Sequence, residues 1–315
     1  MSLDPQAKWV LDIAIEAKVP PLEEMTATEA KAAYEERAQK LCLKDIPIGK
    51  TEDLDIPGPN GDIPLRIYTP VSGGENLPVV VYYHGGGWVI GSRDSHDALC
   101  RQISNEGTFL VVSVDYRMGP EAPFPAAPTD CLAAYEWVLA HIANHGGNPK
   151  AVAVAGDSAG GNLSAVVSLM AREADLPIPA FQWLIYPATN MHMETESHEA
   201  LAEGYFLTRD LMTWFQGHYL PSSKDRNDWR ASPLLAESLK GLPPALVQTA
   251  GYDPLKDEGK AFADRLAEEG NTVAYTEYPG MIHGFINLGG AIDTANVAIN
   301  EGVTALKAAF QNHKA

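Results

Sequence analysis

Basic side chains are scarce in this chain: 23 Lys and Arg stand against 41 Asp and Glu, for a formal net charge of −18. A surface this acidic repels phosphate backbones and anionic headgroups, so neither nucleic acid nor a stable membrane association is expected. Cysteine is scarcer still, and Cys42, Cys100 and Cys131 form an odd set without metal-ligand or redox spacing. They read as reduced, mostly buried thiols, which suits a cytoplasmic protein. No stretch approaches the roughly 18 consecutive apolar residues of a membrane span. The opening Met1-Ser2-Leu3-Asp4-Pro5-Gln6 lacks the basic start and apolar run of a signal peptide. Internal repeats, low-complexity tracts and cofactor motifs are also missing, so neither a metal nor a cofactor is expected.

What remains is an ordinary globular composition, 45% hydrophobic over 315 residues, enough for one large domain or one domain carrying an insertion. Residues 1–45 read as helical. Leu3, Ala7, Val10, Leu11, Ala14 and Ile15 fall on one face, and after Pro20-Pro21 a Thr26-x-x-Glu29 capping box opens a second helix with Ala30, Tyr34, Ala38 and Leu41 inward. These helices precede any strand, which makes them an appendage. Asn60-Gly61 then signals a hairpin between 53–57 and 64–69. Apolar runs follow at 78–83, 110–114, 151–155, 181–186, 245–250 and 273–278, most of them separated by helix-compatible segments. An antiparallel start followed by this alternation predicts an α/β fold with a mixed, mostly parallel sheet and helices on both faces. Residues 188–240 interrupt the alternation and hold Tyr205, Phe206, Leu207, Trp214 and Phe215, a candidate lid or a satellite hydrophobic cluster. The expected division is 1–45 and 188–240 as cap, with 46–187 and 241–315 as the two parts of the core.

Chemistry concentrates at strand ends. Gly156-Asp157-Ser158-Ala159-Gly160 follows the run 151–155 and opens a helical segment, the pattern of a nucleophile elbow that holds a serine hydroxyl clear of the sheet. His84-Gly85-Gly86-Gly87-Trp88 follows the run 78–83, and glycines let backbone N–H groups approach a developing oxyanion. Gly86, Gly87 and Ala159 are the expected donors. Among the acids after the run 245–250, Asp253 comes first, whereas Asp257 and Glu258 lie a turn further on, where solvated or helix-capping roles are expected. His283, after the next strand, completes the order serine, acid, histidine. Asp157 is expected to tie down the elbow. Arg117 and Glu121 read either as substrate clamps or, preferably, as partners in a buried ion pair fixing the oxyanion loop. Trp88, Asp157, Phe206, Leu207, Trp214, Ile282 and Ile286 are candidate pocket residues, the six apolar ones equally readable as ordinary core.

His84–Trp88, Gly156–Gly161, Asp253–Glu258, His283–Phe285 and the Tyr116–Glu121 segment together resemble the bacterial hormone-sensitive-lipase-like esterases of the α/β-hydrolase superfamily. Met118-Gly119 stands where that family more often has Leu-Ala. The resemblance spans about residue 55 to the C-terminus. It implies a serine carboxylesterase of short- to medium-chain acyl esters, a small-molecule ester substrate, a helical cap and a homodimer. Lactone or amide hydrolysis, or a non-hydrolytic binding protein on the same fold, are the alternatives.

Overall fold

The computed structural model describes residues 2–312, so the outermost residues of the two expected end segments lie outside it. Two helices open the chain. In α1 (Pro5–Glu16) the Asp4 side chain accepts from Gln6 and Ala7 N–H; in α2 (Ala27–Leu41) Thr26 and Glu29 cap each other reciprocally. Ala7 and Val10 are the buried residues of α1, and Ile15, expected inward, is 74% exposed and borders a cavity together with Leu11 and Ala14.

The hairpin β1 (Lys50–Gly58) and β2 (Gly61–Thr69) turns at Asn60, with Gly58 opposite Gly61. Then come β3 (Leu77–Tyr83), α3 (Asp97–Gly107), β4 (Leu110–Val114), α4 (Ala126–His141), β5 (Gly147–Asp157), α5 (Ala159–Glu173) and β6 (Gln182–Ile185). The interval before the next strand holds α6 (Glu196–Ala200) and α7 (Arg209–Tyr219). β7 (Ala245–Tyr252), α8 (Lys256–Glu268), β8 (Val273–Ile282) and α9 (Asp293–Asn312) close the chain.

The eight strands form one sheet in the order β1-β2-β4-β3-β5-β6-β7-β8, antiparallel at its first two joins and parallel from β4 onward. β3 and β5 are buried on both faces, which explains their unbroken apolar runs. Alternate residues divide between two cores: Val79, Val81 and Tyr83 pack with α4 and α5, whereas Val80 and Tyr82 pack with α3 and α9. Each fully buried valine contributes roughly 1.5–3 kcal/mol by removal from water. Because β3, β5, β7 and β8 run parallel, their C-terminal ends share one edge, the crevice where open α/β sheets bind ligands.

Candidate active site

Ser158 stands between β5 and α5 at φ 55°, ψ −116°, backbone space that is costly for a residue with a Cβ. Its N–H donates to the Ile185 carbonyl at 2.8 Å and its carbonyl accepts from Asn162 N–H at 3.0 Å, so neighbouring chain holds the strained turn. Close approach dictates the glycine that follows: a Cβ on Gly160 would lie 1.8 Å from the Tyr83 carbonyl oxygen.

Asp253 leaves the end of β7 fully buried, with Oδ1 accepting from Leu255 N–H at 2.9 Å. Its Oδ2 lies 2.7 Å from His283 Nδ1, and His283 Nε2 lies 2.9 Å from Ser158 Oγ. Three residues separated by up to 125 positions thus form one hydrogen-bonded chain from acid to hydroxyl. A hydroxyl within reach of an imidazole that a buried carboxylate orients can lose its proton as it attacks an electrophile.

The loop after β3 crosses the front of this chain. Gly87, at φ +58°, faces the Phe215 ring so closely that a Cβ would come within 2.3 Å of it. Among the described residues no backbone carbonyl takes the N–H groups of Gly86, Gly87 or Ala159. Asp157 anchors the loop: its Oδ1 accepts from Gly85 N–H at 3.0 Å and from Tyr82 Oη at 2.7 Å, with His96 Nε2 at 3.2 Å. Asn287 Nδ2 donates to its other oxygen at 3.3 Å. Burial opposes the charge on Asp157, but His96 and these donors outweigh it, and the carboxyl sits below the usual range. Burial also drives His84 down to about 3, so its neutral ring stacks on Tyr116 and donates to the Gly85 carbonyl at 2.8 Å.

A model of the α/β-hydrolase fold family matches residues 80–287, two thirds of the sequence. The chain belongs to that family. A carboxylic ester hydrolase of Mycobacterium tuberculosis, LipN, is 47% identical over 262 residues, covering 81% of this chain and 69% of the relative. The carboxylesterase NlhH of the same organism is 42% identical, covering 98% of this chain and 96% of its own. Among solved structures, the ester hydrolase EH1AB1 from the Lake Arreo metagenome superposes with a TM-score of 0.95 at 40% identity, over 98% of this chain and 99% of that one.

In this α/β-hydrolase a cavity of about 430 Å³ opens over Ser158 and His283, walled by α1 and α2, the loop after β3 and residues 204–216. Trp88, Asp157, Phe206 and Leu207 line it; Trp214, Ile282 and Ile286 do not. On α7 the cavity takes Leu211, Met212, Phe215 and Gln216, and Trp214 points off that face, edge-on to His218. Ile282 and Ile286 are buried in the core on the far side of the sheet, with α9. Sequence reasoning did not single out Arg37, which lines the cavity one turn beyond Tyr34. The signal available was its i+3 spacing from a tyrosine already assigned inward.

Two further expectations are corrected. Arg117 pairs with Asp130, not with exposed Glu121: its Nε and Nη2 lie 2.8 and 2.7 Å from the two carboxylate oxygens. Asp130 sits in α4, where it is fully buried and matches the guanidinium fork bidentately. Glu258 is neither solvated nor a helix cap but buried, its Oε1 accepting from Thr189 N–H at 2.5 Å and Asn190 N–H at 3.2 Å. It joins the end of β6 to α8, because α8 lies with that face against the sheet. Asp257 does work at a helix start, accepting from Ser197 N–H at 2.8 Å in α6. No group of three or more His, Cys, Asp or Glu among the described residues is arranged to hold a metal ion.

Proposed function

We propose that this protein is a serine carboxylesterase in which Ser158 is the nucleophile, His283 the general base and Asp253 the residue that orients the imidazole. The observation that carries the reading is the unbroken acid–imidazole–hydroxyl chain, 2.7 and 2.9 Å, at the floor of a largely apolar cavity. His283 Nε2 takes the Ser158 proton as Oγ attacks the ester carbonyl, and Asp253 stabilises the imidazolium that forms. The free N–H groups of Gly86, Gly87 and Ala159 receive the oxyanion. As the tetrahedral intermediate collapses, His283 protonates the departing alcohol. Water, deprotonated by the same imidazole, then releases the carboxylic acid and restores Ser158.

The substrate on this reading is a small ester with a short- to medium-chain acyl group. The two opening helices and residues 188–240 act as the cap that sets its size. The carboxylesterases at 42–47% identity support the reaction class. A fluorophosphonate probe tests the nucleophile: labelling is expected on Ser158 and absent from Ser158→Ala. Labelling elsewhere, or undiminished hydrolysis of p-nitrophenyl butyrate by the variant, overturns the assignment.

A further inference from the structure

In a chain with 41 carboxylates, a guanidinium that faces the substrate cavity without an anion requires an explanation. Arg37 is such a group. It is half-buried on the inner side of α2, its Cζ lies 5.7 Å from the centroid of the Phe206 ring, and no hydrogen bond or ion pair engages it among the described residues. None of the acids nearby pairs with it among the described residues. Glu35 accepts from the Ser92 hydroxyl at 2.5 Å, Glu36 pairs with Lys40 at 2.7 Å, and Glu23, on the same cavity wall, faces the Thr208 hydroxyl at 3.4 Å. Asp157 is consumed by the oxyanion loop, and burial pushes Glu258 up to about 8, leaving it largely protonated at neutral pH. Among the described lining residues only exposed Lys18 adds a second Lys or Arg side chain.

Tyr34, one turn before Arg37, lines the same cavity, and its hydroxyl likewise has no hydrogen-bond partner among the described residues. Burial, together with the nearby charge of Asp157, raises its pKa, so it stays an O–H donor through the working pH range. One helix face therefore presents a guanidinium fork and a phenol to the space above Ser158, two donors and no acceptor partner. A planar fork matches a carboxylate bidentately, and desolvating a cation without such a partner carries a cost that binding one would offset.

We propose that Arg37 and Tyr34 form a subsite for a second, free carboxylate, so that favoured substrates are anionic esters such as half-esters of dicarboxylic acids or acyl esters of hydroxy acids. The inference rests on the ester-hydrolase reading and names its substrate class. Arg37 here determines specificity by touching the substrate's distal charge, and Phe206, stacked against the guanidinium, holds the fork in place.

The test compares kcat/KM for monoethyl succinate, glutarate and adipate with their neutral diethyl esters, and for butyryl glycolate with its methyl ester. The first series puts the charge on the acyl side, the second on the alcohol side. Arg37→Met is expected to lower the anionic-to-neutral ratio about ten- to a hundred-fold in at least one series, chiefly through KM, with Arg37→Lys recovering part of it. A ratio that moves less than twofold in both series overturns the proposal. If the Met variant fails to fold, Arg37→Gln is read by the same ratio. Calorimetry of monoethyl glutarate and of butyryl glycolate on the Ser158→Ala protein separates the two readings: binding of either that weakens at least tenfold on adding Arg37→Met supports the subsite whether or not hydrolysis is seen. Equal binding of both overturns it. Failure of phosphonate labelling at Ser158 instead falsifies the hydrolase reading alone.

Discussion

At the residue scale, the backbone of Ser158 is held in a left-handed, strained turn by the Ile185 carbonyl and by the start of α5. Replacing the hydroxymethyl side chain with a methyl fits the same turn, so Ser158→Ala is expected to fold normally and to lose on the order of 10⁶ in kcat. Steady-state hydrolysis alongside a thermal melt checks both halves. Gly87 is less forgiving. Its positive φ and the Phe215 ring leave no room for a Cβ, so Gly87→Ala must displace the loop carrying the expected oxyanion donors. About 10²- to 10³-fold in kcat, with a small change in KM, is the expected loss. Asp157 carries a pH signature. Its carboxyl is held below the usual range, so the stability it contributes is complete above about pH 4, the unfolded value, and fades as the pH falls through the folded one. Asp157→Asn is expected to cost about 1–3 kcal/mol at pH 7 in urea unfolding, with the deficit shrinking in acid. A deficit that grows toward acid would rule out this role.

Two ties between elements decide how the strand ends are held. Arg117 and Asp130 join the loop after β4 to α4, with the carboxylate fully buried and the Arg117 side chain 29% exposed. Removing the cation strands a buried charge, so Arg117→Met is expected to destabilise by about 3–5 kcal/mol, and Asp130→Asn in the same chain should recover part of it. Additive losses in denaturant unfolding would show that the pair does not act as a unit. Glu258 ties β6 to α8 and has the opposite pH sense from Asp157. Burial raises its carboxyl from 4.5 to about 8, so the folded state holds a proton that the unfolded chain releases. The favourable contribution is whole below pH 4.5 and is lost as pH rises to about 8. Glu258→Gln keeps an acceptor for Thr189 and Asn190 without the charge. Its melting temperature is therefore expected to gain on wild type between about pH 5 and 8.

At the scale of the whole molecule, three distant stretches of chain wall one cavity of about 430 Å³, and its volume limits what reaches Ser158. Across p-nitrophenyl esters from acetate to laurate, kcat/KM is expected to peak among the short and medium chains and fall toward laurate. A peak at laurate would show that the proposed cap yields to long chains. Among the described residues no helix is long and apolar enough to cross a membrane. Against a net charge of −18, Arg37 and Lys18 are the two Lys and Arg side chains of the cavity lining that would attract an anionic ester.

Strand positions, helix caps and the order of the site motifs were legible in the sequence because each is a local property. Apolar runs mark strands buried on both faces, Thr26 and Glu29 cap a helix within one turn, and Gly156 answers to Gly160, a contact its own turn creates. Sheet order extends that logic, since parallel strands place their loops on a common edge. Side-chain partners brought together from remote stretches were not legible. Whether Arg117 meets Glu121 or Asp130, and whether Glu258 faces water or Thr189, depends on how a helix is rotated against the sheet. Helical periodicity leaves that rotation open where polar residues occupy several faces. The same holds for His96, which reaches Asp157 across 61 positions, and for Trp214, whose neighbours on α7 take the cavity instead. The linear sequence determined which chemical groups stand at the strand ends, because strands and turns are short-range. Which groups stay charged, which are consumed by a neighbour and which face the substrate was decided by packing alone.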